Sequence, residues 1–289
     1  MADGDHYGFT HLRTELRSRI LHVTLDRPAR RNAISPEMHA EFTPLFRRIA
    51  TDDQVDVVVV TGAGDKAFCV GADFSGMDAK LAEGYPDGNP ELLEGSAALV
   101  RAQLAVPQPV IAAINGDALG LGATLALFCD VTFLADTARI GDPHVNAGLV
   151  AGDGGAILWP LLLGVNRGKE YLMTGDLMSA EEALRYGLVN HVCPTAEVLG
   201  RATALAERLA AGPQVALRFN KRLANTDLND RVNRLLDTSL ALEAMTFTTA
   251  DHREAVTAFL ERRPPRFGAR PAPTAAGEHP APAPEGARP

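Results

Sequence analysis

The run Pro109 to Asp130, PVIAAINGDALGLGATLALFCD, constrains this chain more than any other stretch. It opens on an apolar segment, Pro109 to Ile114, with the length and composition of a buried strand, turns at Asn115-Gly116, and enters a helix around Gly120 to Gly122. Glycines where a helix begins let another group approach the main chain. The first N–H groups of that helix have no intrahelical partner, so they can bind developing negative charge. Taken alone, the same pattern suits a turn packed tightly in a core equally well.

A second stretch repeats the arrangement. After an apolar strand, Val55 to Thr61, come Gly62-Ala63-Gly64 and then KAFCVGADF, Lys66 to Phe74, again a strand running into a glycine-containing loop that feeds a helix. Between and around them, Tyr7 to Leu16 and Ile20 to Asp26 read as antiparallel strands joined at Arg17-Ser18-Arg19. Ser35-Pro36 starts a helix, Pro36 to Ala50, with Met38, Phe42, Leu45, Phe46 and Ile49 on one face. Asp73 is expected to cap a short helix, Glu83 to Pro90 to form a mobile loop, and Glu91 to Val106 to be a helix. Then follow strand Val131 to Ala135, an extended piece Ala138 to Gly141, helices Gly155 to Leu163, Arg167 to Thr174 and Ala180 to Tyr186, and strand Leu188 to Val192. From Thr195 the chain reads as helical: Ala196 to Ala211, Pro213 to Ala224, Asp227 to Thr249 and Asp251 to Arg262. Beyond Pro264, Pro, Ala and Gly dominate, and so few large apolar residues cannot offset the entropy of ordering; residues 264–289 are expected to be a disordered tail.

Composition narrows the function classes. A formal net charge of −8 gives no cationic excess to displace phosphate counterions, which argues against nonspecific nucleic-acid binding. Three cysteines without a CxxC pair suggest a reducing compartment, and Cys69 and Cys129 read as small core residues. No apolar run approaches the roughly 20 residues that span a bilayer, and MADGDHYGF lacks the basic start and apolar middle of a signal peptide. A cytoplasmic protein without membrane or nucleic-acid partners is expected.

Together, FCVGAD and PVIAAINGDALGLGA resemble the enoyl-CoA hydratase/isomerase, or crotonase, superfamily, and the likeness runs from about Thr10 to Arg263. The resemblance implies an α/β crotonase-like fold, a spiral of ββα repeats. It divides the chain into a core with the site over 1–195, a helical oligomerisation region over 196–263 and the tail. It further implies a homotrimer or a dimer of trimers, an acyl-CoA thioester substrate, and no cofactor or metal beyond that coenzyme A. In that family two backbone N–H groups hold the thioester oxygen and stabilise an enolate or oxyanion; by motif position they belong to Ala72 and Leu121. Main-chain donors suit the task because they are fixed before reaction, and one is worth roughly 3 kcal/mol in other enzymes. Val70, Asp73, Gly120 and Gly122 are expected beside the bound ester. The Arg27 to Ser35 loop would follow the coenzyme, with Arg30 as a phosphate contact, although a solvated basic loop suits Arg30 nearly as well.

A hydratase of this family uses two glutamates, a base for water and an acid for the α-carbon. The matching positions are Thr124 and His144. Thr124 is no base near neutral pH and reads as a packed residue bonding to the preceding turn. His144 can serve as a base, and Asp153, nine residues on, is expected to accept from one ring nitrogen, fix the tautomer and stabilise the imidazolium. Turn capping by Asp142 or Asp153 is the plainer alternative. Pro143-His144, Gly152-Asp153-Gly154, Trp159-Pro160, Asn166-Arg167-Gly168 and Thr174-Gly175 resemble the 6-oxocamphor hydrolase branch, β-diketone hydrolases that cleave a carbon–carbon bond without coenzyme A. His144 and Asp153 match its water-activating pair, and His39 and Glu243 match polar site residues. Otherwise His39 reads as an exposed or half-buried histidine and Glu243 as a surface or intersubunit residue. Leu121 departs from that branch, which has a histidine there. Three readings follow: an acyl-CoA lyase or isomerase with His144/Asp153 in place of the glutamates, a β-diketone hydrolase, and a catalytically silent member of the family.

Overall fold

The computed structural model describes residues 5–73, 85 and 89–268. Strands β1 (Leu12–Arg17) and β2 (Ile20–Leu25) form a hairpin whose two turn residues, Ser18 and Arg19, both have positive φ, the backbone sense that matches strand twist. Helix α1 (Pro36–Thr51) starts on Ser35, whose hydroxyl accepts from the Met38 N–H. It buries Met38, Phe42, Leu45, Phe46 and Ile49, each contributing roughly 1.5–3 kcal/mol of apolar burial.

The middle of the chain is built by repetition. Strand β3 (Val57–Gly62) is followed by β4 (Ala67–Cys69) and, further on, α2 (Pro90–Leu104). Then come β5 (Val110–Ile114), β6 (Asp117–Leu119) and α3 (Leu121–Leu127). A third unit has β7 (Val131–Ala135), β8 (Arg139–Gly141), a 3-10 turn (Pro143–Ala147) and α4 (Gly155–Leu163). Each unit gives its first strand to a six-stranded sheet and its second to a four-stranded one.

After α5 (Val165–Thr174), β9 (Leu177–Ser179) and α6 (Ala180–Arg185), strand β10 (His191–Cys193) completes the larger sheet. The orders are β1-β2-β3-β5-β7-β10 and β4-β6-β8-β9, parallel except at β1/β2 and β8/β9. In the larger sheet β3 and β5 are buried along their whole length, as a parallel sheet covered on both faces requires.

Four α-helices follow β10 among the described residues: α7 (Val198–Ala210), α8 (Gln214–Ala224), α9 (Thr226–Phe247) and α10 (Ala250–Leu260). Helix α7 buries Val198, Ala202 and Ala206 in the same cluster as the strands, so a boundary at 195 separates chain regions without separating cores.

Two expectations need correction. Leu188 and Val189 were expected in a strand, but their N–H groups donate to the Ala183 carbonyl and close the end of α6; pairing starts only at His191. The three-residue strands β4, β6 and β9 are absent from the sequence reading, which assigned them no element of their own. The helix expected after Asp73, most of the Glu83 to Pro90 loop and the tail from 269 onward lie outside the described residues.

Candidate active site

Strands β4, β6 and β8 are neighbours and parallel, so their C-terminal ends meet at one edge of the smaller sheet. The segments that follow them are Gly71-Ala72, Gly120-Leu121 and Asp142-Pro143-His144. Backbone pairing thus gathers the two glycine loops and the histidine loop, with the Gly120 N–H donating to the Gly141 carbonyl at 3.0 Å.

Ala72 bridges to Ile34: the Ile34 N–H donates to Gly71 O at 2.8 Å and the Asp73 N–H to Ile34 O at 2.9 Å. With residues 71 and 73 bonded to Ile34, the Ala72 N–H points the other way. Leu121 is the first residue of α3, where an N–H has no intrahelical acceptor. Among the described residues neither amide donates to a backbone carbonyl, and both residues line one cavity. The two loops touch, since a Cβ added at Gly71 would lie 2.9 Å from the Leu119 carbonyl and 3.6 Å from the Leu121 nitrogen. Arg27 braces the first loop, donating to Asp73 Oδ2 at 2.8 Å and to the Ala33 carbonyl.

The cavity measures about 860 Å³ with its open mouth included. His144 enters it from the 3-10 turn, its side chain 15% exposed. Its Nδ1–H donates to Asp142 Oδ1 at 2.5 Å, while Nε2 lies 3.6 Å from Asp153 Oδ2. The expected pairing is therefore divided. Asp142, the N-cap of the turn, holds the tautomer, and Asp153 stands beyond hydrogen-bond length on the free nitrogen. Asp142 fits because the chain has glycine at 155: an added Cβ there would fall 1.8 Å from Asp142 Oδ2.

Thr124 also departs from expectation. Its hydroxyl points at Asp153 Oδ1, at 3.5 Å, rather than back into its own helix. Glu243, which matches a polar site residue by resemblance and otherwise read as a surface or intersubunit residue, is 5% exposed, lines the cavity from α9 and leaves Oε2 without a hydrogen-bond partner among the described residues. His39 is buried and lines the same cavity, with Nε2 3.3 Å from the Ser96 hydroxyl. Val70 and Gly120 line it too, whereas Gly122 packs α3 against Cys69, facing away. Asp73 and Arg30 border an adjoining cleft that shares Val70, Ala72, Pro143 and Ala147 with the cavity.

Three acidic groups surround one imidazole, and their charges compete. Burial pushes His144 down, but Asp142 and Asp153 outweigh it and hold the ring well above its ordinary value. Burial raises Asp153, Asp142 adds to that, and His144 opposes it. Burial and then the Asp153 and Asp142 charges push Glu243 up to about 8, so its carboxyl is protonated at neutral pH. Burial lowers His39 and keeps it neutral. The ligand atoms of Asp142, His144 and Asp153 lie within 4.8 Å of one another, with one of the two His144 ring nitrogens engaged by Asp142.

The profile of the family described as enoyl-CoA hydratase/isomerase matches residues 15–270. The chain belongs to the enoyl-CoA hydratase/isomerase family. A short-chain-enoyl-CoA hydratase of Clostridium acetobutylicum is 34% identical over 254 residues, covering 86% of this chain and 94% of the relative. The crystal structure of an enoyl-CoA hydratase/isomerase from Mycobacterium paratuberculosis superposes with a TM-score of 0.80 at 34% identity, covering 86% of this chain and 98% of that one. A β-diketone hydrolase from Anabaena, solved bound to (S)-3-oxocyclohexyl acetic acid, superposes at 0.76 with 30% identity, covering 83% and 95%. The crotonase fold and the two family branches named from the sequence are thus both present among its structural neighbours. Sequence reading missed Asp142 and Ser96 as site residues. An aspartate directly before Pro-His, at an N-cap position, was the available signal for the first; for Ser96 only the packing of α1 beside α2 reveals it.

Proposed function

We propose that this family member acts on an acyl-CoA thioester through an enolate held by the Ala72 and Leu121 amides. The observation that carries the reading is that Ala72 and Leu121, whose backbone N–H groups have no backbone acceptor among the described residues, line the same cavity as His144. Each such donor contributes roughly 3 kcal/mol to the transition state. His144, with Nδ1 held by Asp142 and Nε2 open to the cavity, takes the proton of water or of the substrate carbon. Glu243, neutral at pH 7, returns a proton to the α-carbon. These two divide the acid and base work for which a hydratase of this family uses two glutamates. The adjoining cleft at Arg30 would take the coenzyme, which enters as part of the substrate. Exposed Val215, Phe219 and Leu223 on α8 would be covered by further copies, as a trimer or a dimer of trimers.

His144→Ala is expected to lower turnover of enoyl-CoA esters about a hundredfold while calorimetric titration shows coenzyme A binding intact. Unchanged turnover would remove His144 from the mechanism.

A second reading, cleavage of a β-diketone by water without coenzyme A, is favoured by the likeness to the Anabaena hydrolase and by Asp153 and Glu243 standing beside His144 in one cavity. In that case acetyl-CoA would fail to bind and diketones would be cleaved. A silent member would turn over neither class and exchange no α-proton.

A further inference from the structure

The turn that carries His144 ends against α10, the last helix among the described residues. The His144 and Val145 carbonyls accept from the Leu149 and Gly148 N–H groups, both at 3.0 Å. The Ala147 carbonyl is satisfied from outside the turn, by His252 Nδ1 at 2.8 Å. A carbonyl only accepts, so Nδ1 carries the ring proton and Nε2 keeps a lone pair. His252 is 0% exposed, and that Nε2 has no partner among the described residues. Burial holds the ring neutral.

An apolar side chain would fill this place without leaving a nitrogen unpaired. What imidazole adds is the Nδ1 donor. The two segments are packed closely: Gly148 has φ +67, and a Cβ there would lie 2.8 Å from the His252 backbone nitrogen. The His252 ring also meets Phe247 edge to face, with centroids 5.1 Å apart at 83°, and Phe247 lines the cavity.

From these contacts we infer that His252 is a positioning residue, holding the His144-bearing turn in register by donating from Nδ1 to the Ala147 carbonyl. Its effect on turnover rests on the role proposed for His144; its hold on the turn does not. Helix α10 thereby becomes part of the site without touching the reacting atoms.

Hydrogen–deuterium exchange of the full chain tests this directly. His252→Leu is expected to speed exchange over residues 143–149 by about tenfold. His252→Asn, whose side-chain nitrogen takes the place of Nδ1, should stay near the parent rate. His252→Gln, whose nitrogen takes the place of Nε2, should behave like leucine. With an enoyl-CoA substrate the same order should appear in kcat, with KM little changed. Unaltered exchange in His252→Leu, or equal loosening by Asn and Gln, overturns the proposal. Should the leucine variant fail to fold, the Asn and Gln pair decides it. Faster exchange in the leucine and glutamine variants with turnover unchanged keeps the clamp and removes His144 from catalysis.

Discussion

At the scale of single residues, the site turns on how one imidazole is shared between two aspartates. Asp142 is bonded to Nδ1 and Asp153 faces Nε2, so the protonated ring is favoured and the neutral base appears only above the ordinary value of 6.5. A base that must lose its proton first gives a rate that rises with pH along a displaced limb. Asp142→Asn removes a charge that favours the imidazolium, and the limb of kcat/KM should move to lower pH. A limb that stayed in place would mean that His144 does not set it. By linkage the pair stabilises the fold fully below 6.5 and loses that contribution as pH rises through the raised value. Glu243 behaves likewise for a different reason. The unfolded carboxyl ionises near 4.5 and the folded one near 8, so the native state loses stability across that window and no further above it. Glu243→Gln cannot ionise. The difference between its Tm and that of the parent should widen in its favour from pH 4.5 to about 8 and then level off. A constant difference would show that Glu243 is already ionised in the folded protein.

At the scale of elements, the distance between α3 and β4 fixes where the Leu121 amide points. Gly122 sets that distance, because an added Cβ would fall 2.3 Å from the Cys69 carbonyl, a backbone atom that cannot swing aside. Gly122→Ala is expected to cost about 1–3 kcal/mol in urea unfolding, and to lower kcat more than it raises KM, since the displaced amide acts on the transition state. A variant with normal kcat and only reduced stability would separate α3 from the chemistry. Elements also show where the sequence was legible. Val131–Ala135 and Gly155–Leu163 stand where periodicity placed them, because a strand or helix with its own apolar pattern needs no distant partner to be read. Strands β4 and β6 have only three residues each, and β6 is half-exposed at both ends. Their existence depends on pairing with each other and with β8, so nothing local announces them.

At the scale of the whole molecule, exposed apolar side chains gather on the C-terminal helices: Phe219 is 60% and Leu223 73% exposed on α8, and Met245 67% on α9. Exposure of that size is costly for a lone chain. In the proposed trimer, replacing Phe219 and Leu223 together with serine should reduce the mass seen by light scattering towards that of a single 30.7 kDa chain. An unchanged mass would show that this face of α8 makes no subunit contact. The sequence by itself determined the family and the α/β alternation, and it singled out both glycine loops and His144 as candidates, since each of these is written in a contiguous run of residues with a local pattern. Tertiary structure alone decided which aspartate holds the imidazole, that Glu243 from a helix about a hundred residues further along lines the same cavity with its carboxyl raised by burial, and that His252 reaches the turn. Those facts depend on distances across the fold and on the exclusion of water from a shared cavity, and neither quantity exists until the chain has closed around it.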